Sequence, residues 1–245
     1  MLASKTIIKN TGKKLTALFV KAPPWLVLAL AMTGTLVVWY ATQHDAKAKA
    51  GAAFQLHAER VSAEIKARLN AYEEVLRGGV GLFAVNDSVT RTQWRDYISR
   101  LELERSFPGI QGVGYAKIIA PNQHSAHIAS VRAEGYPDYA IRPDGTRDIY
   151  TSIVYLEPFS GRNLRAFGFD MFSEPVRRAA MEQARDSANI AASGKVTLVQ
   201  EDNGVPQAGF LLYAPVYRNG KIPASVEQRR AELQGYVYAP FRLGD

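Results

Sequence analysis

Few residues of this chain are of the types that enzymes use as nucleophiles, bases or metal ligands. The 245-residue sequence has no cysteine and four histidines, at positions 44, 57, 124 and 127. Without cysteine there is no thiol nucleophile, and a serine hydrolase triad would need one of these histidines as its base. His124 and His127 could share one helix face, but two ligands with no nearby acid do not complete a metal site. We interpret both as surface residues and expect neither a metal nor another cofactor.

Two carboxylates, Glu157 and Asp170, are the remaining candidates for acid–base chemistry. Hydrolases of glycosidic bonds use pairs of acids at a fixed distance, but nothing in the sequence sets the distance between these two. The segment Gly112-Val113-Gly114 lacks the third glycine of a dinucleotide-binding loop, and the sequence has no P-loop motif. The sequence therefore favours a binding module over an enzyme.

The positive charge of the chain is concentrated at its N-terminus. The formal net charge is +7, and residues 1–44 contain no acid and five lysines, at positions 5, 9, 13, 14 and 21. Removing these five from the 30 basic residues leaves 25, against 23 acidic residues in the chain. A chain that is otherwise nearly neutral lacks the basic face of proteins that bind phosphate backbones, so we expect no nucleic-acid partner.

An uncharged stretch of 20 residues, 22–41, follows the lysines. As a helix it would be about 30 Å long, which is the thickness of a bilayer's hydrocarbon core. We predict a transmembrane helix over residues 22–42, with residues 1–21 as a cytoplasmic basic arm and the rest outside, by the positive-inside rule. A cleaved signal peptide is the alternative, although its apolar core would be shorter. The lack of cysteine fits a bacterial periplasm, so we expect the bacterial inner membrane.

Residues 43–77 predict a long helix that continues beyond the membrane. Their larger apolar residues recur every three or four positions, at Phe54, Val61, Ile65, Leu69, Tyr72 and Leu76. Such a heptad-like stripe must pack on a globular body, on a second copy of the chain, or on both. We predict a stalk helix that forms a homodimer, with a plain core helix as the alternative. Gly78, Gly79 and Gly81 are expected to end it.

The rest of the chain alternates helix and strand signals. A capping box at Thr90–Gln93 predicts one helix, and Ser173-Glu174-Pro175 predicts another that continues through Val176–Ala188. Gly112 and Gly114 would let another group approach the first strand. Strands are predicted over Ile110–Ala120, Ile149–Leu156, Lys195–Gln200, Gln207–Tyr217 and Leu233–Phe241, a helix over Asn122–Ala133, and a hairpin turn at Asp202-Asn203-Gly204. This order predicts an α+β fold with an antiparallel sheet and flanking helices.

An ordered series of motifs in the second half of the chain resembles a known family. These motifs are Phe107–Ala116, Pro143-Asp144-Gly145, Tyr155–Pro158, Gly168–Met171, Arg177–Met181 and Ala214–Tyr217. Together they are similar to the CHASE domain, the extracytoplasmic ligand-binding module of sensor histidine kinases and receptor-type diguanylate cyclases. The resemblance covers about residues 78–241. It implies an upstream membrane helix, a long dimerising stalk helix, and PAS-like domains of which the membrane-distal one holds the ligand.

The resemblance also implies which residues contact the ligand. In the plant cytokinin receptors of this family, an aspartate that matches Asp170 hydrogen-bonds the ligand, and a carboxylate in an apolar pocket suits that role. By the same resemblance, the pocket walls would be Phe169, Met171, Tyr155, Phe210, Leu212 and Ala214.

Structural roles are the alternative interpretation for Asp170 and for two neighbouring arginines. Asp170 could instead stabilise the start of the helix after Ser173, where a negative charge is favourable. Arg177 and Arg178 could bind an anion, but we interpret them as a solvated helix face.

We therefore predict a membrane-anchored sensor of a small molecule, with the sensory domain over residues 78–245. The chain looks like an N-terminal fragment, whose PAS-like domain is cut short at the C-terminus. The output domain, a histidine kinase or a cyclic-di-GMP enzyme, would lie beyond it. The alternatives are a membrane-anchored periplasmic scaffold and a periplasmic hydrolase that uses Glu157 and Asp170.

Overall fold

A computed structural model of the chain describes residues 23–86, 88–199 and 207–242. The predicted basic arm, residues 1–21, and the predicted hairpin turn at residues 202–204 lie outside these ranges. The chain divides into two compact units, residues 1–65 and residues 66–245.

The described part of the first unit is helical. Helix α1 spans Pro24–Ala84, and its first 21 residues, Pro24–His44, are long and apolar enough to cross a membrane, with a mean hydropathy of 1.6. Hydroxyl groups in this stretch donate to carbonyls three or four residues earlier, as Thr33 does to Ala29 at 2.8 Å, which pairs the polar group within the helix. The first part of the predicted stalk stripe is exposed, with Phe54 at 75%, Val61 at 40% and Ile65 at 53%.

The last turns of α1, from residue 66 onward, belong to the second unit and pack against its sheet. Tyr72 and Leu76 are buried there, as a helix packed on a globular body requires. The prediction that Gly78, Gly79 and Gly81 end the helix is wrong, because α1 continues to Ala84. A Cβ atom on Gly78 would collide with the Tyr97 hydroxyl, and one on Gly79 would lie 3.0 Å from Val237. Two of these glycines therefore permit close packing.

The second unit is built on a six-stranded antiparallel sheet. Its strands are β1 (Val113–Ile119), β2 (Tyr150–Glu157), β3 (Ala191–Ala192), β4 (Val196–Thr197), β5 (Ala208–Tyr217) and β6 (Leu233–Arg242). They lie in the order β2-β1-β6-β5-β3, and β4 also pairs with β5. The predicted α+β fold with an antiparallel sheet is confirmed. β4 is shorter than its predicted range, and β3 was not predicted.

Helices flank the sheet. They are α2 (Arg91–Arg100), α3 (Leu103–Ser106), α4 (His124–Ala133), α5 (Pro175–Ser187) and α6 (Val226–Glu232), with short 3-10 helices at Pro121–Gln123, Gly161–Ala166, Met171–Ser173 and Arg218–Gly220. The capping box of α2 is confirmed. Helix α5 is capped by Glu174, not Ser173, because the Glu174 carboxylate accepts from the Val176 and Arg177 amides. Helix α6 was not predicted.

Apolar side chains cover both faces of the sheet, because residues alternate between faces along each strand. One group, which we call the α5-side cluster, includes Ile153, Met171, Phe172, Met181, Leu211, Tyr213, Tyr236 and Tyr238. The other, the α1-side cluster, includes Tyr72, Leu76, Trp94, Tyr115, Leu212, Ala214 and Val237. A smaller group around Tyr139 and Tyr150 packs beneath α4.

Candidate ligand-binding site

Asp170 lies where a short 3-10 helix begins beside β2, and its side chain is completely buried. Its Oδ1 atom accepts hydrogen bonds from the Thr151 amide at 2.8 Å, the Thr151 hydroxyl at 3.0 Å and the Phe172 amide at 3.1 Å. Its Oδ2 atom has no hydrogen-bond partner among the described residues and lies 3.4 Å from Nε of Arg147. One oxygen thus holds the loop in place, whereas the other can still accept a hydrogen bond.

The two predicted site residues next to Asp170 lie on the same side of the sheet. Met171 is buried in the α5-side cluster, and Phe169 packs against it. The guanidinium of Arg177 lies 4.9 Å from the centroid of the Phe169 ring, within the range of a cation–π interaction. The structure therefore brings Asp170, Phe169 and Met171 together with an arginine that the sequence analysis placed in solvent.

The other four predicted site residues lie on the opposite side of the sheet. Phe210, Leu212 and Ala214 belong to or pack against the α1-side cluster, since they are alternate residues of β5. Tyr155 packs there too, and its hydroxyl donates to the Val89 carbonyl at 2.8 Å. The seven residues therefore do not line one site. Leu211, Tyr213 and Tyr217 of β5 belong instead to the α5-side cluster, together with Met171.

Arg177 is buried, with 3% of its surface exposed. It occupies the inward stripe of α5 together with Ala180, Met181 and Ala184. Its Nη2 atom donates to the Thr197 carbonyl at 2.7 Å, but its Nε atom has no hydrogen-bond partner among the described residues. The interpretation of a solvated helix face is wrong for Arg177, whereas Arg178 is exposed and donates to the Phe172 carbonyl.

Three tyrosines complete this side of the sheet. The hydroxyls of Tyr213, Tyr236 and Tyr238 are buried and have no hydrogen-bond partner among the described residues. Burial raises the pKa of all three phenols, while the nearby charge of Arg177 acts in the lowering direction on the pKa of Tyr213 and Tyr238. The Arg177 guanidinium is thus close enough to interact with both of these hydroxyls.

The sheet register explains how such large rings fit. Tyr238 of β6 pairs with Gly114 of β1 on one side and with Tyr213 of β5 on the other. A Cβ atom on Gly114 would lie 2.5 Å from ring atoms of Tyr238, so only glycine leaves room for the ring. The expectation that Gly114 lets another group approach the strand is confirmed.

Within the described ranges, most buried side chains that have an atom without a hydrogen-bond partner lie on this side of the sheet. Seven buried side chains have a nitrogen or oxygen atom with no hydrogen-bond partner among the described residues, and five of them are Asp170, Arg177, Tyr213, Tyr236 and Tyr238. Because such groups are rare in protein interiors, their concentration needs an explanation. Four offer hydrogen-bond donors and one offers an acceptor, which is what a polar ligand needs.

Sequence reasoning could have found part of this set. Arg177 is three and four residues from Ala180 and Met181, which is the spacing of a buried helix stripe. The tyrosines at 213, 236 and 238 have no such signal, because both faces of the strands are apolar.

The described histidines are not part of a metal-ligating cluster. No group of three or more histidine, cysteine, aspartate or glutamate side chains that could hold a metal occurs within the described ranges. His127 is not a simple surface residue: its Nε2 lies 3.0 Å from the Tyr139 hydroxyl, which lies 2.7 Å from the Ser152 hydroxyl. Burial lowers the pKa of His127 to about 4.

The alternative of a hydrolase that pairs Glu157 with Asp170 is not supported. Glu157 forms an ion pair with Arg95 at 3.2 Å and accepts from the Phe159 amide at 3.0 Å. Asp170 accepts a hydrogen bond from Thr151, which lies six residues before Glu157 on β2. Six residues of a strand span about 20 Å. Acid pairs of glycosidases are within about 10 Å of each other.

Two surface cavities lie away from this set. The first, of about 470 Å³, is lined by Phe83, Tyr115, Lys117 and Tyr155, among others. The second, of about 390 Å³, lies between α2, α3 and the end of β2, where Arg95, Leu103 and Glu157 line it. Neither includes Asp170 or Arg177.

Comparisons with known proteins bear on what this arrangement is for. The family model of the CHASE domain matches residues 87–245, which is more than half of the chain. A search of curated proteins finds no match. CHASE domains are extracytoplasmic sensory modules of membrane receptors and are not catalytic. By this match the chain belongs to the CHASE domain family.

Proposed function

We propose that this chain is the sensory part of a single-pass membrane receptor and that it binds a small molecule on the α5 side of its sheet. The observation that supports this most directly is the set of five buried side chains that each have one atom without a hydrogen-bond partner among the described residues, and Asp170, the residue indicated by the family resemblance, is one of them. A ligand with donor and acceptor atoms would satisfy groups that otherwise pay the cost of lost hydration.

Signal transfer in this proposal uses α1. Tyr72 and Leu76 of α1 are buried against the domain, and Gly79 approaches Val237 of β6, a neighbour of Tyr236 and Tyr238. A ligand that favours one arrangement of these tyrosines would bias the position of α1 on the sheet. This works only if the ligand binds one arrangement better than the other.

The anchoring and output are parts of the same proposal. The N-terminus would be cytoplasmic, as the lysines before the apolar stretch favour, in a bacterial inner membrane. The exposed apolar residues Phe54, Val61 and Ile65 would pair two copies as a stalk. The receptor would drive a histidine kinase or a cyclic-di-GMP enzyme.

A thermal-shift screen of the full chain in detergent tests the binding proposal. We expect at least one polar small molecule to raise the melting temperature and expect Asp170→Asn, which keeps an oxygen for Thr151, to weaken that binding. If a small molecule binds the Asp170→Asn variant and the wild-type protein equally well, Asp170 does not contact the ligand. A broad library with no hit would favour the periplasmic scaffold.

The orientation in the membrane is tested with reporter proteins fused after Asp245. If the sensory domain is outside the cytoplasm, alkaline phosphatase at this position should be active, and a reporter that fluoresces only in the cytoplasm should stay dark.

A further inference from the structure

The buried cation of the α5-side interior, Arg177, has no ion-pair partner among the described residues. Arg177 is 3% exposed, and none of the described carboxylates forms an ion pair with it. Asp170 does not neutralise it, because that carboxylate is hydrogen-bonded by Thr151 and Phe172 and paired with Arg147. A buried guanidinium that no described carboxylate neutralises is unfavourable unless another negative group lies beside it, and a bound anion is one such group.

Two tyrosine hydroxyls lie on the same side of the sheet as this cation. Tyr213 and Tyr238 are cross-strand partners in β5 and β6, both hydroxyls are buried, and the charge of Arg177 acts on both. Nε of Arg177 is the other donor without a described partner. These three donors and one positive charge match a group that carries one negative charge and two acceptor oxygens.

We propose that the ligand is a small carboxylate whose anionic group is held by Arg177 with the hydroxyls of Tyr213 and Tyr238; this rests on the proposed function. The apolar body of the ligand would lie against Phe169 and Met171, which flank Asp170. A single cation suits a monoanion, and the planar guanidinium suits the two oxygens of a carboxylate. The Oδ2 atom of Asp170 would select ligands that also carry a hydrogen-bond donor.

The test compares carboxylates with their uncharged amides. Benzoate, phenylacetate, indole-3-acetate and hexanoate, each beside its amide, are titrated by calorimetry into the full chain in detergent. We expect at least one carboxylate to bind at least tenfold tighter than its amide. Arg177→Gln should abolish this preference, and the neighbouring variant Arg178→Gln should keep it. Tyr213→Phe and Tyr238→Phe, which keep the ring and the charge of Arg177, should each weaken the carboxylate about fivefold.

The outcomes separate this inference from the function it rests on. Binding of amides or other neutral compounds, lost in Asp170→Asn but retained in Arg177→Gln, would overturn the carboxylate assignment and leave the sensor proposal standing. If all four carboxylates fail to bind while the wider screen finds neutral hits, the assignment is wrong as well. If Arg177→Gln does not fold, the two tyrosine variants decide: an unchanged affinity for the carboxylate in both would overturn it.

Discussion

Arg177 and Arg178 are neighbours in α5 but have opposite surroundings. The guanidinium of Arg177 lies 4.9 Å from the ring centroid of Phe169 inside the domain, whereas Arg178 is exposed and bonds the carbonyl of Phe172. One helical residue turns a side chain by about 100°, which is enough to place two identical residues in the interior and in solvent. The pair therefore supplies its own control, because the same substitution at each position separates a ligand effect from a surface effect.

The hydroxyl of Tyr238 is predicted to cost stability in the absence of ligand. It is buried and has no partner among the described residues, so Tyr238→Phe should raise the free energy of unfolding by about 1 kcal/mol. Tyr139→Phe is the matched control, since that hydroxyl contacts both His127 and Ser152, and we expect it to lower the free energy by about 1 kcal/mol. Chemical denaturation of the full chain in detergent measures both. Equal losses in the two variants would contradict the assignment of Tyr238 as unpaired.

Asp170 is predicted to be a structural residue as well as a ligand contact. Asp170→Ala removes the acceptor of the Thr151 amide and one of the two acceptors of the Phe172 amide, and it leaves Arg147 without its carboxylate, so we expect the free energy of unfolding to fall by about 3 kcal/mol. The exposed Asp138 provides the control, and Asp138→Ala should change the free energy of unfolding by less than about 0.5 kcal/mol. Thermal or denaturant unfolding distinguishes them. A loss below about 1 kcal/mol for Asp170→Ala would mean that its buried bonds add little.

Gly114 is predicted to tolerate no side chain. A methyl group there would lie 2.5 Å from the ring of Tyr238, so Gly114→Ala should lower the free energy of unfolding by about 1–3 kcal/mol through overpacking. Gly81 of α1 has nothing within 4 Å of an added Cβ atom, and Gly81→Ala should leave stability unchanged or raise it by up to about 1 kcal/mol. If both variants behave alike in denaturant unfolding, the Tyr238 ring does not occupy the space above Gly114.

The stability of the domain is predicted to fall with acid through His127. Burial lowers the pKa of His127 to about 4 in the folded protein, against about 6.5 in an unfolded chain. Between these values the unfolded state binds more protons, so stability decreases as the pH falls from about 6.5 towards 4. Because the His127 ring is partly exposed, we expect the free energy of unfolding to fall by no more than about 2 kcal/mol over this pH range.

The matched substitutions at the two histidines isolate this effect. His127→Gln should flatten the dependence of the melting temperature on pH between pH 6.5 and pH 4, while His57→Gln, at an exposed residue of α1, should leave the slope as in wild type. The same slope in His127→Gln and wild type would assign the acid sensitivity to other groups.

The pattern of the sequence predicts the order of elements better than it predicts contacts. Periodicity and turn residues locate β1, β2, β5 and β6, because half-buried strands and their turns leave local signals. The end of α1 could not be predicted, since packing of Gly78 and Gly79 on the domain outweighs the low helix propensity of glycine.

The sequence could predict only some of the residues of the candidate site. Alternation along β5 shows that Leu212 and Ala214 share a face, but not which one, because apolar layers cover both sides of the sheet. The resemblance places Asp170 in the site, whereas Arg177 is identified only once its burial is known.

Hydrogen–deuterium exchange with and without a screened ligand tests the central claim most directly. If a small molecule binds on the α5 side of the sheet, the amides of α5 and of residues 168–173 should gain protection, and Arg177→Gln should reduce this gain when the ligand is a carboxylate. Protection confined to α2 and α3, along the cavity lined by Arg95 and Leu103, would contradict the claim.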